Sequence, residues 1–274
     1  MARLTLPQPY SFELSTERFR AFGPDLANLW HEGGLHRVVA GREVRIEAAP
    51  GGVEVEPLDS VTEPVVRKLL GLDFDLHSFY AFAAKDSLLA ALAESLAGFR
   101  PPLATDPLEA LVGAITAQQV SLFAAFAIRN RLVAEYGVRG VRAYAFPTRE
   151  RLAAAREEEL VRLGFSRRKA EYVLSLARSD LDLEALAGLG DSEVRSALVA
   201  LRGLGEWTAD WFLARYLGRP RSWPAGDLAL QKAVSRFYFD GRPATAVEVR
   251  AIGARFEPFQ NLTAHYLLLG MRAP

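Results

Sequence analysis

The spacing of apolar residues changes along this chain, and the change divides it into two parts. In "GREVRIEA" and "GGVEVEP" apolar side chains fall at every second position, which is the period of a strand with one exposed face. Glycine-containing turns at residues 40–41 and 50–52 interrupt this pattern. From about residue 87 the apolar residues recur at helical spacing. We therefore predict an α+β unit over residues 1–85 and an all-α unit over residues 86–274.

Capping residues indicate where several helices begin. Asp106 is a predicted N-cap, with Pro107 at the first helical position and Glu109 placed for a capping box. Three further residues are predicted N-caps. Ser121 and Ser166 each precede a helical segment, and Asp227 follows the "PAG" turn.

Other helices are predicted from their apolar pattern and from the glycine that follows them. Residues 15–30 are expected to form a short amphipathic helix, and residues 148–164 a single helix that ends at Gly164. Two later helices are expected to end at Gly203 and Gly218.

The composition excludes several classes of protein and site. Half of the 274 residues are hydrophobic, so the chain can bury a large core, and no apolar run reaches the length of a membrane span. The N-terminal stretch lacks the apolar segment of a signal peptide. The chain has no Cys, which excludes disulfides and cysteine-bound iron–sulfur clusters within it. These features predict a cytoplasmic protein without a membrane segment.

The charge is balanced overall but unevenly distributed. Residues 1–100 carry 10 Lys and Arg against 14 Asp and Glu, whereas residues 101–274 carry 23 against 19. Arg supplies 29 of the 33 basic residues and suits bidentate contacts to phosphate. An excess of this size is only weak support for nucleic-acid binding. The four histidines, at positions 31, 36, 77 and 265, show no metal-ligand spacing and are expected to be isolated surface or core residues.

The stretch "LRGLGEWTADWFLARYLGRPRSWPAGDLALQK" combines three features that each have an ordinary structural explanation. Gly203 and Gly205 fit a tight turn between helices, and backbone N–H groups at the next helix start could bind a phosphate. Trp207 and Trp211 share a helix face, where core packing competes with base stacking. Asp227 is a good N-cap, and a carboxylate fixed in this way can also stabilise a sugar cation or orient a water.

The combination of these motifs resembles the helix-hairpin-helix/Gly-Pro-Asp superfamily of DNA glycosylases. Three further segments are similar to its alkylation-repair branch, DNA-3-methyladenine glycosylase II: "FDLHSFYAFAAKDSLLAAL", "LEALVGAITAQQVS" and "LGFSRRKAEYVLSLA". The resemblance covers the chain from about residue 70 onward. It implies that the N-terminal α+β unit is similar to the TATA-binding-protein fold.

The resemblance implies a role for each matched position. Asp227 would be the catalytic carboxylate. The hairpin Gly203-Leu204-Gly205 would grip the DNA backbone, with an alkali cation held by loop carbonyls. An aromatic pocket for the base would be formed by Trp207, Trp211 and Phe259. The turn that wedges into the duplex would contain Gln118 and Gln119.

The same resemblance predicts the reaction and the partner. Trp207 stands where bifunctional relatives keep a nucleophilic Lys, so no strand cleavage is expected. The expected activity is hydrolytic release of alkylated bases from duplex DNA, by a nucleoid-associated monomer that needs no iron–sulfur cluster. Two alternatives stay open: a non-catalytic helix-hairpin-helix DNA-binding module, and a glycosylase for oxidised or deaminated bases.

Overall fold

A computed structural model describes residues 2–272, which begin with a small antiparallel sheet and continue as a helical body. The sheet has the order β1-β5-β4-β3-β2 and is built from five strands: β1 (Ala2–Thr5), β2 (Leu29–His31), β3 (Gly34–Val39), β4 (Arg42–Ala49) and β5 (Gly52–Glu56). The predicted turn at residues 40–41 joins β3 to β4. Of the turn predicted at residues 50–52, residues 50–51 join β4 to β5, and Gly52 already belongs to β5. In β4 and β5 buried and more exposed residues alternate, as the sequence pattern predicts.

Two helices, α1 (Phe12–Thr16) and α2 (Thr62–Leu69), accompany the sheet. The helix predicted over residues 15–30 is wrong in its extent. A short 3-10 turn over Glu17–Phe19 follows α1, and the chain then bends toward β2. Gly23 has a φ of +94°, and the proline that follows cannot donate a helical hydrogen bond, so a helix cannot pass this point.

The helical body contains twelve helices within the described residues. They are α3 (Leu76–Ala83), α4 (Ser87–Ser95), α5 (Pro107–Ala117), α6 (Leu122–Tyr136), α7 (Arg149–Ala154), α8 (Glu157–Arg162), α9 (Arg167–Arg178), α10 (Asp191–Val199), α11 (Glu206–Arg215), α12 (Leu228–Tyr238), α13 (Ala246–Gly253) and α14 (Gln260–Gly270). A two-stranded ribbon, β6 (Val138–Arg139) and β7 (Tyr144–Ala145), lies between α6 and α7. None of the described helices is long and apolar enough to cross a membrane.

Most predicted caps are present, and several predicted helix ends are wrong. The side chains of Asp106, Ser121, Ser166 and Asp227 each accept a backbone hydrogen bond at the start of a helix. The helix predicted over residues 148–164 is two helices, because the chain is extended at Ala155 and Arg156. Helices α10 and α11 end at Val199 and Arg215, three or four residues before the predicted glycines.

The buried apolar side chains form three cores. The sheet core contains residues between Leu4 and Leu72. The central core contains residues between Leu108 and Tyr216. The terminal core joins residues 74–103 to residues 225–269. Along the chain, the sheet core ends at Leu72 and the terminal core begins at Phe74. The domain boundary predicted after residue 85 lies further along the chain and remains a prediction.

A buried cluster of charged side chains ties the sheet unit to the helical body. Glu109 on α5 accepts hydrogen bonds from Arg37 on β3 and from Arg129 on α6. Arg129 also pairs with Asp25, and Asn28 donates to Glu109 at 3.2 Å. The predicted capping box is therefore incomplete, since the Glu109 side chain contacts the sheet unit and does not return to its helix start.

Candidate active site

Asp227 begins α12 and caps it with one carboxylate oxygen. A turn closed by a hydrogen bond from Asp227 N to Pro224 O, at 2.9 Å, leads into the helix. The Oδ1 atom of Asp227 accepts from the backbone N–H groups of Ala229 and Leu230, both at 2.9 Å. These bonds satisfy donors that would otherwise be free in the first helical turn, and the helix dipole there favours a negative charge.

The second carboxylate oxygen of Asp227 meets both tryptophans of α11. The indole Nε1 atoms of Trp207 and Trp211 donate to Oδ2 at 2.7 and 3.0 Å. Trp211 is buried, whereas Trp207 and Asp227 are half-buried, so both bonds are partly shielded from water. The family resemblance assigned these residues to a base pocket; the structure adds that their polar edges hold the carboxylate.

Asp227 lies where the central and terminal cores meet. Helix α11 packs into the central core through Ala209, Phe212 and Leu213, whereas α12 packs into the terminal core through Leu230 and Val234. The two indole–carboxylate bonds therefore join the two helical cores at the candidate site.

Two residues that the sequence did not single out surround Trp211. The guanidinium carbon of Arg215 lies 3.7 Å from the centroid of the Trp211 ring, and the His265 ring stands edge-on at 5.7 Å. Burial, together with the charge of Arg215, lowers the pKa of His265 to about 3, so this ring is neutral at physiological pH. The signal for Arg215 was its position four residues after Trp211 on one helix face. No comparable signal marked His265.

The predicted hairpin lies directly before α11. Gly203 has a φ of +88°, and a Cβ there would lie 2.1 Å from Cγ of Tyr172, so the fold requires glycine. Leu204 is buried in the central core. Gly205 is the N-cap of α11 with a φ of −110°, and a Cβ there would meet nothing within 4 Å. The fold leaves open space beside Gly205, where the backbone of another molecule can approach.

The turn between α5 and α6 reaches this hairpin. Gln118 Nε2 donates to the Gly203 carbonyl at 2.9 Å, so this side chain is held against the hairpin. Gln119 is exposed and adopts a φ of +54°, which is uncommon for a residue with a side chain. Val120, Leu122 and Phe123 beside it are exposed by 40, 37 and 63%. The turn therefore presents an exposed, largely apolar tip.

The remaining predicted features are less closely connected to Asp227. Phe259 precedes α14 and packs against Phe79 and Phe82, with ring centroids 5.9 and 5.2 Å away, so its place in a base pocket stays a prediction. The Leu201 carbonyl accepts a hydrogen bond from Leu204 N, and the Gly203 carbonyl accepts one from Gln118 Nε2. Each carbonyl oxygen keeps a second lone pair that a cation could use. Among residues 2–272, no cluster of acidic and histidine side chains could hold a metal ion.

Comparison with known proteins connects this arrangement to one family. Residues 112–258 match the profile described as "HhH-GPD superfamily base excision DNA repair protein", and this range contains the hairpin, both tryptophans and Asp227. A 3-methyladenine DNA-glycosylase from Archaeoglobus fulgidus superposes with a TM-score of 0.90, at 30% identity over 99% of this chain and 98% of that one.

Two further proteins are similar over shorter stretches. A DNA-3-methyladenine glycosylase of Bacillus subtilis is 28% identical over 74% of this chain and 69% of its own length. A Schizosaccharomyces pombe 3-methyladenine DNA glycosylase, solved in complex with abasic DNA, has a TM-score of 0.62 at 25% identity, over 70% of this chain and 95% of that one. The chain thus belongs to the HhH-GPD superfamily of base excision DNA repair proteins.

Proposed function

We propose that this protein is a monofunctional DNA glycosylase that hydrolytically releases alkylated bases, such as 3-methyladenine and 7-methylguanine, from duplex DNA. One observation carries the proposal: a carboxylate at a helix N-terminus, held by two indole N–H groups beside a glycine hairpin. The activities in the names of the Archaeoglobus fulgidus and Bacillus subtilis proteins support the same reaction and substrate class.

Asp227 would act mainly through its charge. When the bond between C1′ and the base breaks, the electron pair leaves with the base and positive charge develops on the sugar. A fixed carboxylate in a partly water-excluded site stabilises that charge. A carboxylate offers about four acceptor positions, and in this structure four N–H donors use them. Asp227 would bind the attacking water only after an indole moves away, so electrostatic stabilisation is the simpler role.

The two tryptophans would serve both the carboxylate and the base. Their N–H groups lie on the edge of each indole, so hydrogen bonding to Asp227 does not occupy the ring faces. Arg215 already covers one face of the buried Trp211, so a flipped base would mainly contact the half-buried Trp207. Alkylation at purine N3 or N7 gives the base a positive charge, which the face of an indole attracts. The same charge makes the base a good leaving group, so the site needs no strong general acid.

The hairpin and the α5–α6 turn would hold the DNA. Backbone N–H groups at the start of α11 would bind a phosphate, and the open space beside Gly205 would allow the strand to come close. Gln119, with the apolar residues that flank it, would fill the gap left by the flipped nucleotide. An alkali cation on the hairpin carbonyls would strengthen the same phosphate contact.

Several further properties belong to the proposal. The partner is duplex DNA that contains an alkylated base, and the abasic DNA bound to the Schizosaccharomyces pombe protein is in keeping with it. We propose a monomer that acts at the nucleoid without an iron–sulfur cluster. The likeness of the N-terminal sheet to the TATA-binding-protein fold is also a proposal.

The test is base release from methylated duplex DNA, with the products separated by chromatography. We expect free methylpurines and an intact abasic strand, because Trp207 cannot form a Schiff base with the sugar. Borohydride should therefore trap no covalent enzyme–DNA adduct. A trapped adduct would contradict the monofunctional mechanism. Specific DNA binding without release of any base would favour a non-catalytic DNA-binding module instead.

A further inference from the structure

Arginines surround a small cavity next to the candidate active site. The cavity has a volume of about 40 Å³, and its lining includes Arg18, Arg215, Arg272, Glu17 and His265. Arg18 lies in the 3-10 turn after α1, so the N-terminal unit contributes directly to this cavity. Arg215 and His265 both contact the Trp211 ring, and Trp211 in turn holds Asp227. The cavity is therefore one side-chain layer from the candidate catalytic carboxylate.

The charges around the cavity are not balanced. Glu17 is the one carboxylate in the lining, and it pairs with Arg272 at 3.2 Å. Within residues 2–272, neither the Arg18 side chain nor the Arg215 side chain makes a hydrogen bond or an ion pair. Burial and the charge of Arg272 lower the pKa of Arg18 to about 10. Burial and the charge of Arg18 lower the pKa of Arg215 well below its usual range. The charges of Asp25 and Asp227, which lie outside the lining, partly oppose these shifts. Both arginines are only partly buried, and the described residues offer neither guanidinium a hydrogen-bond acceptor at the cavity.

His265 does not supply that acceptor to both arginines. Its Nδ1 lies 2.9 Å from the Asn261 carbonyl, which can only accept, so Nδ1 carries the proton of the neutral ring. The ring thus offers at most one acceptor, Nε2, against the several N–H donors of each guanidinium. The cavity consequently presents an excess of donors.

The volume limits what can enter without a change in structure. A cavity of about 40 Å³ holds a water-sized group, not a purine ring. An exocyclic oxygen on the edge of a base fits this size and supplies the acceptor that the arginines lack. An exocyclic amino group of the same size would point its N–H donors at the N–H donors of the arginines, so no hydrogen bond would form.

We propose that Arg18 and Arg215 select the base by its exocyclic atom, and favour alkylated purines with a carbonyl oxygen at ring position 6 over those with an amino group there. This inference rests on the proposed glycosylase function and names its preferred substrate class. Guanidinium groups are suited to the O6 acceptor of guanine, whereas adenine presents an amino donor at the same position. Because 3-methyladenine and 7-methylguanine are both cationic in DNA, repulsion by the arginines affects both, and the exocyclic atom distinguishes them.

The test compares release of 7-methylguanine and 3-methyladenine by the parent and by Arg18→Gln. Each rate is divided by the parent's rate for the same base, which removes the different chemical stabilities of the two nucleotides. We expect Arg18→Gln to lower 7-methylguanine release at least about tenfold more than 3-methyladenine release, because the carbonyl loses a charged donor. Arg20→Gln is the matched control, since Arg20 lies two residues away and contacts Thr16 and Trp30, outside the cavity.

Equal losses for the two bases would overturn the proposal and would assign Arg18 to a group common to all substrates, such as a phosphate. No loss for either base would also overturn it. If the parent released no methylpurine, the proposed function and this inference would both fail. If the parent released both bases and Arg18→Gln left their relative rates unchanged, only this inference would fail.

A second measurement needs no variant and no turnover. Titration of the parent with each free base, followed by tryptophan fluorescence, should show tighter binding of 7-methylguanine than of 3-methyladenine, by about fivefold or more. Equal affinities would contradict the proposed selection.

Discussion

Asp227 has two structural roles, and each uses a different oxygen atom. Oδ1 caps α12, as many aspartates do at helix starts, while Oδ2 is held by the two indole N–H groups of α11. An ordinary N-cap explains the first pair of bonds but not the second. The hydrogen bonds to Oδ2 distinguish Asp227 from a residue that only stabilises a helix. They also fix the orientation of the carboxylate toward Trp207 and Trp211.

At the level of single residues, the sequence identified groups whose position follows from local structure. Asp227 was predicted as a cap because the "PAG" turn and the following apolar run lie next to it in the chain. The contacts of Arg18, Arg215 and His265 join the 3-10 turn, α11 and α14, which are far apart in sequence. Local patterns do not encode such packing, and for His265 they led to the expectation of an isolated residue.

The two hairpin glycines differ in what the structure requires of them, and this difference gives a matched pair of variants. We expect Gly203→Ala to destabilise the fold by about 1–3 kcal/mol, because its positive φ strains a side chain and Tyr172 must move. Gly205→Ala should leave stability nearly unchanged, since its Cβ meets open space. It should instead weaken binding to an abasic-site duplex.

Denaturant unfolding and DNA titration measure the two effects separately. Binding by the parent should also decrease steeply with salt concentration, as phosphate contacts do. Unchanged DNA affinity in Gly205→Ala, with a flat salt response, would contradict the assignment of this hairpin to the DNA backbone.

At the level of elements, helix starts were predicted more accurately than helix ends. Capping side chains leave a clear signal at a start, and those of α5, α6, α9 and α12 were correct. The break between α7 and α8 falls at Ala155 and Arg156, where neither Gly nor Pro marks it. Helical spacing continues through such a break, so the pattern predicts one helix where the chain packs as two.

The buried charges around Glu109 hold the sheet unit against the helices that carry the α5–α6 turn. We expect Glu109→Gln to lower the free energy of unfolding by about 3–5 kcal/mol at neutral pH, because it leaves the buried Arg37 without its carboxylate partner and leaves Arg129 with Asp25 alone. Denaturant unfolding measures this cost. Glu63→Gln is the control, since Glu63 and Arg67 form an exposed pair on one helix that contributes about 0.5 kcal/mol or less.

The same cluster gives a pH dependence with a definite sign. Burial alone would raise the pKa of Glu109, but Arg37 and Arg129 lower it from 4.5 to about 2. A carboxyl whose pKa is lower in the folded state stabilises the protein above its unfolded pKa, and this contribution is lost as the pH falls from about 4.5 towards 2. Glu109→Gln should lose less stability than the parent over this range. An identical acid response in the two proteins would contradict the assignment.

The role of Asp227 is the central claim, and the excision rate of Asp227→Asn tests it most directly. An asparagine still caps a helix well, although its amide nitrogen must face either the indole or the backbone N–H groups. Asp75→Asn is the matched control, because Asp75 caps α3 through Ser78 N and lies outside the site. We expect Asp227→Asn to remain folded, to bind abasic DNA at least as well as the parent, and to release 3-methyladenine at least about a hundredfold more slowly, since the charge that stabilises the sugar cation is gone. Asp75→Asn should keep the parent's rate. If Asp227→Asn released 3-methyladenine as fast as the parent, Asp227 would be only a helix cap, and the catalytic group would lie elsewhere.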